Sequence, residues 1–159
     1  MRPSEKALTV IKNREKFRLT SYRLPGEKHY TIGWGHYCDL SKAKNRKWDR
    51  PGATISRGEA DALLLEDVLD KTNILNSMIP ANVVPQDLYD ALVSTVYQYN
   101  PRNKSLGRIF QAIKMGTTVA AVAKMLTQMP SNSYNKKARK VDALLATTGE
   151  VHHIDTIKV

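Results

Sequence analysis

The chain has 159 residues and a formal net charge of +10, a length that suits one domain and a charge that favours an anionic partner such as nucleic acid, a membrane surface or a cell-wall polymer. Its single cysteine, Cys38, excludes an internal disulfide and a cysteine-rich zinc site, and the four histidines lack metal-ligand spacing, so we expect an inert thiol, no metal and no cofactor. No apolar run has the length of a signal peptide or a membrane span, which predicts a protein kept in the cytoplasm where it is made, without membrane insertion.

The first predicted helix begins after Ser4, a residue type that caps helices, and its apolar stripe ends at Ile11. Glu15 falls one turn beyond Ile11 on the same stripe, so its carboxylate is predicted to face the interior. Residues 17–55 then lose the helical period and gain turn residues such as Pro25-Gly26. This is the one segment for which the sequence predicts β structure.

The stretch YTIGWGH, residues 30–36, is predicted to form a short strand with an open edge. Thr31 and Ile32 favour an extended backbone, while Gly33 and Gly35 permit a positive φ or the close approach of another group. An ordinary hairpin with a packed tryptophan explains the same pattern. Whether the stretch has a chemical role depends on which other residues lie beside it.

A second stretch in this segment, residues 41–50, carries five basic residues around Trp48. The pattern predicts an exposed loop with an aromatic tip. Since basic residues contact phosphates and aromatic rings stack on bases, this loop and the net charge support a nucleic-acid-binding protein as an alternative function. That alternative leaves the YTIGWGH stretch and the upstream Glu15 unexplained, and we expect no nucleic-acid partner.

Helix signals dominate after residue 55. Ser56 and Glu59 form a capping box at the start of a long helix that ends by Pro80. Shorter helices are predicted from Pro85 to Tyr99, Ser105 to Met115, Thr118 to Met129 and Asn135 to Thr147. The sequence therefore predicts one domain, 1–159, with an α+β, mostly helical fold: a β-containing lobe at 17–55, a connecting helix at 56–80 and a helical lobe at 81–159.

Residues spread over nearly the whole chain match the pattern of one family. They are Glu15, Arg18-Leu19, Tyr22, the run from Thr31 to His36, Ile55-Ser56, Glu59-Ala60, Asp67, the run from Asp90 to Val93, Ser105-Leu106 and the run from Lys137 to Val141. The TIG-x-GH core downstream of a glutamate is the specific part, and with it the chain resembles the phage lysozyme family, glycoside hydrolase family 24. The resemblance implies a lysozyme-like two-lobed fold and an endolysin, a muramidase that hydrolyses the glycosidic bonds of bacterial peptidoglycan to lyse the host cell.

The resemblance also implies roles for individual residues. Glycoside hydrolysis needs a carboxylic acid that protonates the leaving oxygen and a second group that guides water, or a nucleophile, to the anomeric carbon. By resemblance, Glu15 is the general acid and Thr31 holds the attacking water. His36 matches a histidine that pairs with a carboxylate on the long helix, here Asp67, in a structural role. Lys137 matches an arginine near the acid, and it either tunes Glu15 or belongs to a solvated basic face.

Bacterial peptidoglycan is the expected partner, bound by a monomer. Tyr37, Tyr97 and Ser105 are the expected substrate-binding residues. The expected location is the host cytoplasm until release to the cell wall, with a virion-carried enzyme as the alternative.

The family pattern breaks at the second catalytic group. In the family an Asp or Cys follows the acid by nine positions, whereas here the ninth position is Leu24, and counting back from Thr31 reaches Pro25. Three interpretations stay open. Glu27, in the same turn, supplies the second carboxylate; or one acid suffices, as in a lytic transglycosylase; or the chain is a degenerate lysozyme fold that binds glycan as a wall-binding or virion module.

Overall fold

The computed structural model describes residues 1–80 and 84–158. Those residues form six α-helices, three β-strands and two short 3₁₀ helices. The helices are α1 (Glu5–Glu15), α2 (Arg57–Met78), α3 (Gln86–Gln98), α4 (Lys104–Lys114), α5 (Val119–Thr127) and α6 (Ser133–Thr148); the strands are β1 (Arg18–Tyr22), β2 (Thr31–Gly33) and β3 (His36–Tyr37). The fold is α+β and mostly helical, as predicted.

The chain divides into two compact units. The first, which we call the sheet unit, is Glu15–Asp67, and the second, the helical unit, combines Met1–Arg14 with Val68–Val159. The long helix α2 begins in the sheet unit and continues into the helical unit. The predicted start of the helical lobe at residue 81 falls outside the described residues.

The predicted helices are all present, with ends that differ by a few residues. The capping box of α2 forms: Ser56 Oγ accepts from the Glu59 N–H at 3.1 Å, and Glu59 Oε1 accepts from the Ser56 N–H at 3.3 Å. Pro85 is the N-cap residue of α3 and not its first helical residue. In the part of the chain that the structure describes, no helix is both long and apolar enough to cross a membrane.

The helical unit is built around α3, whose residues from Leu88 to Val96 are all buried. Its neighbour α6 packs against both α3 and α5. A fully buried ion pair lies within α6, where Arg139 Nε donates to Asp142 Oδ2 at 2.9 Å, and the Thr95 hydroxyl of α3 donates to the same oxygen at 2.8 Å. Because each buried charge depends on the other, removing either partner would be costly.

The sheet unit contains an antiparallel sheet in the order β1-β2-β3. The predicted open edge of the YTIGWGH strand is wrong, because β2 is the central strand and pairs on both sides. Thr31 is opposite Tyr22 on β1 and opposite Tyr37 on β3. The outer edge of β1 is also covered, since the Ile55 N–H donates to the Leu19 carbonyl at 3.0 Å.

Most side chains at residues 41–50 are exposed, as predicted, but the prediction of an aromatic tip is wrong. Trp48 is only 7% exposed and belongs to the core cluster of the sheet unit. Its ring meets the His36 ring edge-on, with centroids 6.1 Å apart. Burial of the indole removes a large apolar area from water, and this stabilises the small core of the sheet unit. Buried in this way, Trp48 offers no face on which a nucleic-acid base could stack.

Candidate active site

Glu15 is the last residue of α1, and the chain leaves the helix immediately after it. Lys16 has φ +59°, and it is the one residue other than glycine with a positive φ in the part of the chain that the structure describes. A left-handed conformation costs a residue with a Cβ about 1–2 kcal/mol. This sharp exit directs the chain into β1 and leaves Glu15, half-buried, at the start of the sheet unit.

The turn between β2 and β3 closes over the Glu15 side chain. A Cβ placed on Gly35 would lie 2.6 Å from Oε2 of Glu15 and 3.1 Å from its Cδ. Gly35 also has φ +78°, a conformation that other residues rarely adopt. The close approach predicted for the glycines of this stretch is therefore confirmed at Gly35, and the group that approaches is the carboxylate of Glu15.

Thr31 and Tyr22 face each other across β1 and β2, and the Thr31 side chain lies near enough to the Tyr22 phenol to lower its pKa slightly. Thr31 is buried, with 8% of its surface exposed. Burial raises the pKa of the Tyr22 phenol, the Arg18 guanidinium opposes this, and the carboxylates of Glu15 and Glu27 add to it, so the net pKa lies above the usual 10.0. Both carboxylates therefore act on the same phenol that Thr31 contacts.

Tyr22 carries no predicted role beyond its place in the family pattern, yet it connects the residues that do. Its ring lies under the guanidinium of Arg18, 4.5 Å from the ring centroid. The two residues are four apart on one strand, and although the strand pairing shifts register between them, the ring contact places them on the same face. The spacing of Arg18 and Tyr22 in the sequence suggests that they share a face of the strand. It does not reveal that Tyr22 lies opposite Thr31 on the next strand.

Glu27 lies in the turn between β1 and β2 and bonds back to the turn's first residue. The Leu24 N–H donates to Glu27 Oε1 at 3.1 Å, and the Glu27 N–H donates to the Leu24 carbonyl at 3.1 Å. Gly26, with φ +87°, allows the chain to fold in this way. The Glu27 carboxylate is thus held beside the backbone of position 24.

His36 makes the predicted contact with Asp67, its Nδ1 lying 2.6 Å from Oδ2. Its Nε2 lies 2.8 Å from Oδ1 of Asn45, and the Asn45 amide N–H donates to the Asp39 carbonyl, which fixes Oδ1 as the atom facing the ring. Both ring nitrogens therefore meet acceptors, an arrangement that suits the doubly protonated ring. Burial lowers the pKa of His36, but the hydrogen bonds to Asp67 and Asn45 outweigh it and the net pKa is raised.

A family model described as phage lysozyme matches residues 12–147. The chain belongs to the phage lysozyme family. Its relatives include the endolysins of Bacillus phage PZA, 31% identical over 77% of this chain, and Bacillus phage B103, 29% identical over 97%. These matches cover 45% and 57% of the two relatives, so the chain spans about half the length of the curated relatives that it matches.

Solved structures of similar fold include the endolysin from Escherichia coli O157:H7 phage FAHEc1. It superposes with a TM-score of 0.77 at 22% identity, covering 96% of this chain and 97% of that one. At this identity the likeness establishes the fold, which is the lysozyme fold expected of the phage lysozyme family.

The other residues that the family resemblance singled out lie apart in the chain. Tyr37 is on β3, 37% exposed, and its hydroxyl accepts from the His29 N–H at 3.1 Å. Lys137 on α6, Tyr97 on α3 and Ser105 on α4 belong to the helical unit. Their roles stay predictions, as do the catalytic roles of Glu15, Thr31 and Glu27.

The thiol of Cys38 takes no part in this cluster. It is 1% exposed, and burial with nearby carboxylates raises its pKa to about 12. A thiol so seldom ionised is a poor nucleophile. This agrees with the inert role that the sequence predicts.

Proposed function

We propose that the chain is the lytic domain of a phage endolysin, a muramidase that hydrolyses glycosidic bonds in bacterial peptidoglycan. Membership of the phage lysozyme family and the naming of its relatives as endolysins support this. The observation that carries the proposal is the placement of the Glu15 carboxylate against Gly35, beside the Thr31 and Tyr22 pair. The carboxylic acid of Glu15 is thereby held near hydroxyl groups that can bind water.

Glu15 is proposed as the general acid. Its O–H gives a proton to the glycosidic oxygen as the bond from that oxygen to the anomeric carbon breaks. The backbone of Gly35 restricts the carboxylate to few positions, which is the kind of fixed geometry that proton transfer requires. Water then adds to the anomeric carbon, and the proton that water loses needs an acceptor.

Glu27 is proposed as that acceptor. In the family an Asp or Cys side chain projects from the position that Leu24 occupies here, and the Glu27 carboxylate lies 3.1 Å from the backbone nitrogen of Leu24. The Glu27 carboxylate is thus held beside the backbone of the residue from which the family's short acidic side chain projects. The Leu24 side chain itself is 59% exposed.

Thr31 and Tyr22 are proposed to position the attacking water. Because the pKa of Tyr22 is raised, its hydroxyl stays neutral and keeps a proton to donate. The Thr31 hydroxyl, which lies opposite Tyr22, can donate to or accept from one water molecule.

The experiment that tests the function is the digestion of purified peptidoglycan by the Glu15→Gln variant. The amide keeps the shape of the side chain and cannot give a proton, so we expect a loss on the order of a hundredfold or more. Glu5→Gln, at the other end of α1, is the matched control and should keep the wild-type rate. Undiminished digestion by Glu15→Gln would contradict the proposal.

A lytic transglycosylase is the second candidate, favoured by the apolar Leu24 at the position of the family's second catalytic group. Such an enzyme uses a hydroxyl of the substrate itself in place of water and leaves an anhydro-sugar. Mass spectrometry of the digest separates the two, since hydrolysis leaves reducing ends that are heavier by one water molecule. Anhydro-sugar products would exclude the role proposed for Glu27.

A further inference from the structure

The tryptophan between the two glycines of the YTIGWGH stretch has no part in the mechanism proposed above. Trp34 is half-buried and packs against the core cluster of the sheet unit. Its indole N–H donates to Oδ1 of Asp61 at 2.8 Å, a hydrogen bond that the charge of the carboxylate strengthens. Asp61 is an exposed residue in the second turn of α2, so this bond connects the turn between β2 and β3 to the start of the long helix.

Three consecutive residues of this turn each meet a different group of the sheet unit. A Cβ added to Gly33 would lie 3.1 Å from the Cβ of Ala60, so the end of β2 lies directly on α2. Trp34 bonds to the next residue of that helix, and Gly35 lies against the Glu15 carboxylate. Because Trp34 immediately precedes Gly35, its contact with α2 restricts the backbone that lies on the carboxylate.

The indole also contacts the segment that follows the acid. Phe17 comes two residues after Glu15, and its ring centroid lies 5.2 Å from that of Trp34 with the planes tilted by 54°. The guanidinium of Arg57 lies 4.4 Å from the Phe17 centroid and 5.5 Å from the Trp34 centroid. Tilted rings attract one another, and a cation over their faces adds to this. Trp34 therefore contacts the chain that leaves Glu15 as well as forming the turn that closes over it.

We propose that Trp34 is a positioning residue for the acid and that Asp61 holds its indole in place, an inference that rests on the proposed role of Glu15. Ring packing accounts for the burial of the indole, and the hydrogen bond adds a single orientation. Neither residue touches a reacting atom. Their effect on the reaction is to keep the Gly35 backbone against the Glu15 carboxylate, and a misplacement of about 1 Å at a catalytic group costs on the order of a hundredfold in rate.

The rate test removes the two partners of the bond separately and together. Trp34→Phe keeps an aromatic ring and removes the N–H, whereas Asp61→Ala removes the acceptor. Each should lower kcat on soluble peptidoglycan fragments about tenfold and leave KM nearly unchanged, because the acid is displaced while the contacts with substrate remain. The double variant should lose no more than either single variant, since both changes remove the same bond. Additive losses, or full kcat in either single variant, would overturn the proposal.

Two further variants separate the bond from charge and from general damage to α2. Asp61→Asn keeps an oxygen that accepts from the indole and loses only the charge, so it should retain most of the kcat that Asp61→Ala loses. Asp70→Ala removes another exposed acidic residue of the same helix and should keep the wild-type rate. The bond lies at the surface and contributes little to folding, so all variants should stay folded at the assay temperature. A loss in Asp61→Asn or Asp70→Ala equal to that in Asp61→Ala would refute the positioning role.

A readout without substrate distinguishes this inference from the proposed function. The carboxyl ¹³C NMR signal of Glu15 should move in Trp34→Phe and in Asp61→Ala, and much less in Asp61→Asn. An unmoved signal in the first two variants would overturn the positioning role whatever their rates. A moved signal, together with full digestion by Glu15→Gln, would contradict the proposed function alone, because Trp34 would then position a carboxylate that is not the acid.

Discussion

The carboxylate of Glu15 occupies the space into which a side chain at Gly35 would project, its Oε2 only 2.6 Å from the position of a Cβ added there. Position 35 requires glycine for two reasons: its backbone φ is positive, and the Glu15 carboxylate leaves no space for a Cβ. The contact joins the end of α1 to the turn between β2 and β3. A change at a residue without functional groups would therefore act on the proposed acid.

Gly35→Ala should reduce peptidoglycan digestion on the order of a hundredfold, because the new methyl group displaces the Glu15 carboxylate by an ångström or so. It should also lower the free energy of unfolding by about 1–2 kcal/mol through the left-handed backbone. Gly52→Ala is the control, because Gly52 has φ +72° and nothing within 4 Å of an added Cβ. If the two variants lose activity equally, the contact with Glu15 is not the cause.

Lys16→Gly should raise the free energy of unfolding by about 1 kcal/mol, because glycine adopts the φ of +59° without strain. Thermal or urea unfolding measures the change. Lys16→Ala removes the same side chain but keeps a Cβ, so it should bring little gain. A larger gain from alanine than from glycine would show that the lysine side chain, and not the backbone, limits stability.

Asp67→Asn should destabilise the protein by about 1.5–3 kcal/mol at low pH and by less at high pH. The pKa of His36 is raised in the folded state, so the stabilisation is complete below the ordinary value of 6.5 and fades as the pH rises through the raised pKa. Unfolding between about pH 5 and pH 8 measures this. In a His36→Gln background the same change should show no such pH dependence, and a persistent one would assign the effect to another group.

Glu27→Gln should lower hydrolysis on the order of a hundredfold if Glu27 takes the proton from water. The double variant Leu24→Asp/Glu27→Gln should recover part of that loss, since it returns a carboxylate to the place from which Glu27 is proposed to act. Initial rates on purified peptidoglycan give both values. Full activity in Glu27→Gln would leave Glu15 and Thr31 as the proposed catalytic residues.

The helices were predictable because their signals are local. The Ser56 and Glu59 capping box and the apolar stripe of α3 each lie within one element, and both formed as expected. The pairing of His36 with Asp67 came from the family pattern and was likewise found. The ends of the helices differ from the predicted ends by a few residues, and this does not alter which side chains each helix buries.

The errors concern contacts between distant parts of the sequence. The predicted open edge of the strand that contains Thr31 is wrong because β3 pairs with it. A strand of two residues is too short to show a periodic pattern in the sequence. The basic neighbours of Trp48 favour an exposed position for its ring. In the structure the ring is buried among apolar residues between Ile32 and Leu63. The link between Tyr22 and Thr31 depends on strand register, which the sequence alone does not specify here.

The buried thiol of Cys38 can serve as a probe for the opening of the sheet unit. It lies in the same cluster as Ile32, Trp48 and Leu63, and its pKa of about 12 keeps it unreactive while that cluster is closed. Modification by a thiol reagent thus requires the unit to open, and the labelling rate under native conditions measures how often it does so. One natural residue gives this signal without any introduced probe, and its dependence on glycan fragments would indicate whether substrate closes the unit or loosens it.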